Sequence, residues 1–171
     1  MIYQCNDHDI ILALDDDDWF PNKNVFTHIN NIYTNPDIWI TYGQYAELNT
    51  KGEYNPGFNK PIPNYVIEYG LFRSQYYAFS HLRTFYAKLF KKIRLEDLMF
   101  NGEYFAMSWD LAIMIPMIEM ARYHFKFIPD YLYIYNATNE INDHMVSKET
   151  QEFHDRIIRS RQPYHALQSL F

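Results

Sequence analysis

Asp9-Ile-Ile-Leu-Ala-Leu14 runs directly into Asp15-Asp16-Asp17-Asp18-Trp19-Phe20-Pro21, and the reading of this junction decides the fold. The first half is a short apolar run rich in β-branched and large side chains and bounded by polar residues. It predicts a strand buried on both faces, which implies a parallel or mixed sheet. After the acidic run, Asn22 to Tyr33 carries Val25, Phe26, Ile29, Ile32 and Tyr33 at helical spacing. Pro21 just before and Asn35-Pro36 just after mark the ends of that helix. Asp37-Ile-Trp-Ile-Thr-Tyr42 then reads as a second strand, stopped by Gly43. Strand, acidic turn, helix and strand make a βαβ unit.

Working outward, residues 44 to 66 change character. Lys51-Gly52-Glu53, Asn55-Pro56-Gly57 and Lys60-Pro61-Ile62-Pro63 are turn signals in close succession, expected to form a long loop or a loose hairpin. Leu82, Phe85, Leu89 and Phe90 give an apolar stripe that predicts a helix from about Ser80 to Ile93. Ser108-Trp109-Asp110 opens the most apolar stretch, Leu111 to Ala121, where Pro116 either kinks a helix or marks its first turn. Phe125 to Tyr135 reads as a strand pair or one strand bent at Pro129-Asp130. Ser147 to Arg161 reads as a polar helix capped by Ser147. No repeat, heptad or linker divides the chain.

Composition limits what such a fold can do. At 171 residues and 48% hydrophobic, the chain has material for one domain with a real core. The lone Cys5 excludes a disulfide framework and a cysteine-based zinc site. Fifteen basic against 21 acidic side chains leave a net charge of −6, which argues against nucleic acid as a partner. No apolar run approaches the roughly 18 residues of a membrane span. The polar start, Met1 to Asp9, is unlike a signal peptide, so the expected compartment is the cytoplasm. Aromatic residues reach 19%, and they serve equally as core or as platforms for the flat faces of sugars.

Four adjacent carboxylates repel one another, so a fold that gathers them at a strand end gains something by it. A hard divalent cation, Mg²⁺ or Mn²⁺, is the usual gain. In open α/β sheets ligands bind at the carboxyl ends of the strands, where this run falls. In an extended turn Asp15 and Asp17 point the same way and can share an ion, with Asp16 pointing elsewhere. The plainer alternative is a solvated acidic turn in which Asp18 caps the next helix. Trp19-Phe20-Pro21 interrupts any calcium loop of the EF-hand type.

Strand, Leu14-Asp15-Asp16-Asp17-Asp18-Trp19-Phe20-Pro21 and helix together resemble the metal-binding segment of family 2 glycosyltransferases with the glycosyltransferase-A fold. The resemblance continues through Asp37 to Gly43, Phe79-Ser-His-Leu-Arg-Thr-Phe85 and Trp109-Asp-Leu-Ala-Ile-Met-Ile-Pro-Met-Ile-Glu119. It ends with Tyr133-Ile-Tyr-Asn136 and Asn142-Asp-His144, so that the ordered blocks cover roughly residues 9 to 165. It implies an α/β fold with a Rossmann-like mixed sheet and flanking helices. Three regions follow from it: a metal-motif unit at 1–43, an acceptor-side loop region at 44–79, and a catalytic-base helix with strands and a C-terminal helix at 80–171.

That resemblance also implies a chemistry, in which a sugar passes from a nucleotide diphosphate donor to an acceptor hydroxyl, usually with inversion. Asp17 would be the direct ligand of Mn²⁺ or Mg²⁺, Asp15 would face the donor ribose or a metal-bound water, and Asp16 is the variable position, on the substrate side. Asp110 would be the catalytic base, against the plainer reading of an N-cap. His144 would reach the metal or diphosphate from a C-terminal loop. His81 and Arg83 would border the acceptor or diphosphate, and Trp109 would stack on a sugar, with Tyr42 and Tyr45 as weaker candidates. Glu119 reads as structural.

Only eight residues precede the first of these strands, so the nucleotide-binding half of such an enzyme is expected to be absent. The first strand would then present an open edge, a partner chain could complete the sheet, and the chain alone would be inactive. A non-catalytic carbohydrate-binding or assembly module is the competing reading. A metal-dependent phosphoryl-transfer or nuclease-like enzyme is a weaker one, since no Gly-rich phosphate loop is present.

Overall fold

The structure is a computed structural model that describes residues 2–75, 79–139 and 147–171. Its framework is a mixed five-stranded sheet of β1 (Ile10–Ala13), β2 (Ile40–Leu48), β3 (Tyr54–Pro56), β4 (Arg83–Tyr86) and β7 (Phe125–Asn136). β1 pairs antiparallel with β4, and β4 antiparallel with the start of β2. On its other side β2 runs parallel to β7. β1, β2 and β7 therefore point the same way, and their carboxyl ends share one end of the sheet. β5 (Met99–Phe100) and β6 (Glu103–Tyr104) form a separate small hairpin.

The apolar periodicities explain the helices. α1 (Val25–Ile32) turns Val25, Ile29 and Ile32 onto one face of the sheet, where they meet Leu82, Ile128 and Tyr133. α4 (Trp109–Ala121) is apolar all round, and every residue from Leu111 to Ala121 is buried. It fills the opposite face against Ile40, Tyr42 and Phe85, flanked by α3 (Ala87–Phe90) and α5 (Lys148–Ser160). α2 (Asn64–Tyr69) adds Val66 to the same core. Pro116 lies inside α4 rather than at its start. Thr84 at the sheet centre bonds Thr41 at 2.6 Å and the Tyr33 hydroxyl at 3.0 Å, tying α1 to two strands. Glu119 is structural as expected: both its oxygens accept from Arg73, at 2.7 and 2.8 Å, and it also accepts from the Tyr164 amide.

Several expectations are corrected. Residues 80 to 93 are not one helix; they form β4 and the short α3. β1 is only half-buried, and it pairs antiparallel at the margin of the sheet instead of lying parallel within it. The βαβ unit survives in direction only, because β4 is inserted between β1 and β2. Gly43 does not stop β2, which continues to Leu48 through a register shift after Gly43. The region after it forms the loose hairpin β2–β3 followed by α2. β7 is a single strand with register irregularities along it, and Ser147 caps α5 by accepting from the Thr150 amide.

Candidate functional site

Where the parallel strands end, a cavity of about 920 Å³ opens. It is lined by Asp15, Asp16 and Asp17 after β1, Tyr45 and Glu47 of β2, and Tyr135 of β7. His81 and Arg83 at the entry to β4, and Trp109 and Asp110 at the start of α4, complete the polar wall. Five other residues implicated by the resemblance, Asp16, His81, Arg83, Trp109 and Asp110, thus join Asp15 and Asp17 in lining one space; His144 lies outside the described residues. Tyr45 lines the cavity, whereas Tyr42 is core, its hydroxyl donating to the Lys60 carbonyl at 3.0 Å and accepting from the Ile62 amide at 2.9 Å.

The acidic turn is held by β7. The Trp19 amide donates to the Ile134 carbonyl at 3.3 Å, and the Ile134 amide returns a bond to Trp19 at 2.9 Å. Asp18 turns inward, accepting from the Tyr133 hydroxyl at 2.6 Å and from the Asn136 amide at 2.7 Å. The Tyr133 oxygen in turn accepts from the Asp15 amide at 3.1 Å. Asp17 accepts from the Asn139 side-chain amide at 2.5 Å. The idea that Asp18 caps the next helix is therefore corrected: α1 starts at Val25 with Asn24 at the cap position. Burial pushes the Asp18 carboxyl up to about 6, and its two hydrogen bonds oppose that shift only in part.

Arg83 joins the two sides of the cavity. It is 3% exposed, and its Nη2 lies 3.1 Å from Asp110 Oδ2 while its Nη1 lies 3.9 Å from Asp15 Oδ2. Its guanidinium sits 5.4 Å from the Trp109 ring centre. Arg83 belongs to a strand rather than to the helix expected over Ser80 to Ile93, and its side chain is buried. Burial raises the Asp15 carboxyl above its ordinary value, against the pull of Arg83. Asp110 is not the N-cap of α4; that position is Ser108, and Asp110 sits in the first turn with its Oδ1 2.9 Å from the Leu111 amide.

His81 is stacked between aromatic rings, 4.4 Å from the Tyr133 centroid and 5.3 Å from that of Tyr135. Burial, reinforced by Arg83, holds its imidazole well below the usual histidine range, so it is neutral at physiological pH. Its backbone carbonyl accepts from Asn59, which also donates to the Gly43 carbonyl. Asn59, Tyr133, Tyr135 and Asn139 were missed as individual residues. For two of them the signal was the block Tyr133-Ile-Tyr-Asn136; for Asn59, in a turn-rich stretch, there was none.

The donor chemistry suits a divalent cation. Hard carboxylate oxygens of Asp15 and Asp17 face the cavity, and the Nδ1 of His81 is buried beside Asp15 with no hydrogen-bond partner among the described residues. Among the described residues no helix is long and apolar enough to cross a membrane. In comparisons with known proteins, no protein-family model and no curated protein matches the chain.

Proposed function

We propose that this chain carries the cation-binding and acceptor-activating side of a nucleotide-sugar transferase. The reaction moves a sugar from a nucleotide diphosphate to an acceptor hydroxyl, a glycan hydroxyl being the simplest case, with inversion. One observation supports this most: the acidic turn after β1 and Asp110 of α4, far apart in sequence, face one cavity from two sides, with Arg83 between them. An inverting displacement needs both kinds of group, leaving-group stabilisation on one face of the sugar and a base on the other.

Asp15 and Asp17 are the residues that would hold Mn²⁺ or Mg²⁺. Such an ion, when bound, offsets the charge that builds on the departing diphosphate. Asp110 takes the proton of the acceptor hydroxyl as that oxygen bonds the anomeric carbon. The bond from that carbon to the diphosphate oxygen breaks, and its electron pair leaves with the nucleotide. Arg83 holds Asp110 in place through Oδ2, and the Leu111 amide donates to Oδ1. Trp109, 39% exposed beside the base, and Phe58, 46% exposed, line the cavity and offer aromatic rings to sugars. Asp16, exposed at the cavity margin, is placed for substrate contact. The cytoplasm, where nucleotide sugars are made, is the matching compartment.

The test is transfer and donor hydrolysis by the protein over a panel of nucleotide sugars with Mn²⁺. Asp110→Asn is expected to lower turnover about 10²- to 10⁴-fold while donor binding persists. Undiminished turnover in that variant would remove Asp110 as the base. The aromatic lining also suits a second reading, a non-catalytic carbohydrate-binding module. Cation-independent sugar binding without turnover of any donor would favour it.

A further inference from the structure

The side chains of Asp15, Asp18 and His81 each offer a ligand atom, and these atoms lie within 4.8 Å of one another. His81 Nδ1 is 3.7 Å from Asp15 Oδ2, too far for a hydrogen bond. The ring is 6% exposed, and Nδ1 has no hydrogen-bond partner among the described residues, although it faces a carboxylate. A buried imidazole nitrogen is ordinarily satisfied, so its lack of one here asks for an explanation. Ligand atoms about 2.1 Å from one ion stand roughly 3 to 4 Å apart, so a small closure brings these three around a cation.

We infer that Asp15, Asp18 and His81 form a cation site that prefers a borderline ion such as Mn²⁺, Co²⁺ or Zn²⁺ to Mg²⁺, with His81 Nδ1 as the selective ligand. Two carboxylates and one imidazole suit ions of intermediate softness, whereas Mg²⁺ favours oxygen alone. Asp18 accepts one bond on each oxygen and keeps a lone pair on each. Tyr133 and Tyr135 stack on the imidazole and fix its plane, the part played by supporting groups around metal-bound histidines. Arg83 is already engaged by Asp110, so Asp15 turns to an ion without leaving the guanidinium uncompensated. This deepens the transferase reading, adding Asp18 and His81 to Asp15 and Asp17 around one ion, and rests on that reading only for what the ion does there.

The experiment is a Mn²⁺ titration of the full chain followed by electron paramagnetic resonance, with pulsed detection of nitrogen coupling. The wild type is expected to bind Mn²⁺ with imidazole nitrogen coupling, and a parallel calorimetric titration to show weaker Mg²⁺ binding. His81→Phe keeps the stacked ring and deletes Nδ1; it should lose the coupling and weaken Mn²⁺ binding at least tenfold, with little change for Mg²⁺. Asp18→Asn should weaken both ions. If His81→Phe fails to fold, selective broadening of the His81 ring resonances by Mn²⁺ in the wild type answers the same question. No Mn²⁺ binding, or binding that survives His81→Phe with coupling unchanged, overturns the site. Nitrogen coupling intact alongside undiminished turnover in Asp110→Asn would instead leave the site standing and count against the transferase mechanism.

Discussion

Asp18 makes the stability of the metal-free protein depend on pH in a direction opposite to that of most paired carboxylates. Its carboxyl rises from an ordinary 3.8 to about 6 because the fold buries it, at 8% exposure. Between those two values the folded state binds a proton that the unfolded chain has lost. The contribution of Asp18 to stability is therefore greatest below about pH 4 and declines as pH rises through 6. At about 1.4 kcal/mol for each tenfold change in proton affinity, the decline is about 3 kcal/mol. Asp15 acts in the same direction, since burial raises it too. Other carboxylates also titrate in this range, so the useful quantity is the difference between the wild type and Asp18→Asn, which cannot ionise. Urea unfolding of both proteins in chelator, from pH 4 to 7.5, should show the wild type losing about 3 kcal/mol relative to the variant, with the loss complete near pH 7. A difference that stays level over this range, or one in which the wild type gains, would refute the buried, charged placement of Asp18.

Two further predictions concern the scaffold. Glu119→Gln breaks a buried pair with Arg73 and should cost about 3 to 5 kcal/mol, lowering the thermal midpoint by about 10 °C in calorimetry. Thr84→Val leaves the Thr41 and Tyr33 hydroxyls without their shared partner and should cost about 2 to 3 kcal/mol in denaturant unfolding at unchanged m-value.

The elements that the sequence disclosed were those whose pattern has one physical solution. The run Leu111 to Ala121, apolar but for Glu119, reads as a buried helix, and the i, i+4, i+7 positions Val25, Ile29 and Ile32 can only face one way. β4 misled because Leu82, Phe85, Leu89 and Phe90 match a helical stripe. In the fold Leu82 joins the core beneath α1 and Phe85 the core beneath α4, as an odd separation along extended chain requires. That change of element is what sends Arg83 inward between Asp15 and Asp110. The acidic turn was legible as a group, but its division of labour was not. Asp18 is set apart by Tyr133 and Asn136, each more than a hundred residues away, and no local spacing encodes such a partner.

The central claim, that this cavity takes a nucleotide sugar through its acidic turn, is tested most directly by nuclear magnetic resonance, which also detects weak binding. The indole N–H of Trp109 would be followed during titration with nucleoside diphosphate sugars, with and without Mg²⁺. The account predicts a saturable shift for at least one donor that requires the cation, persists in Asp110→Asn and is lost in Asp17→Asn. No shift with any donor in the presence of cation, or a shift that Asp17→Asn leaves intact, would contradict it.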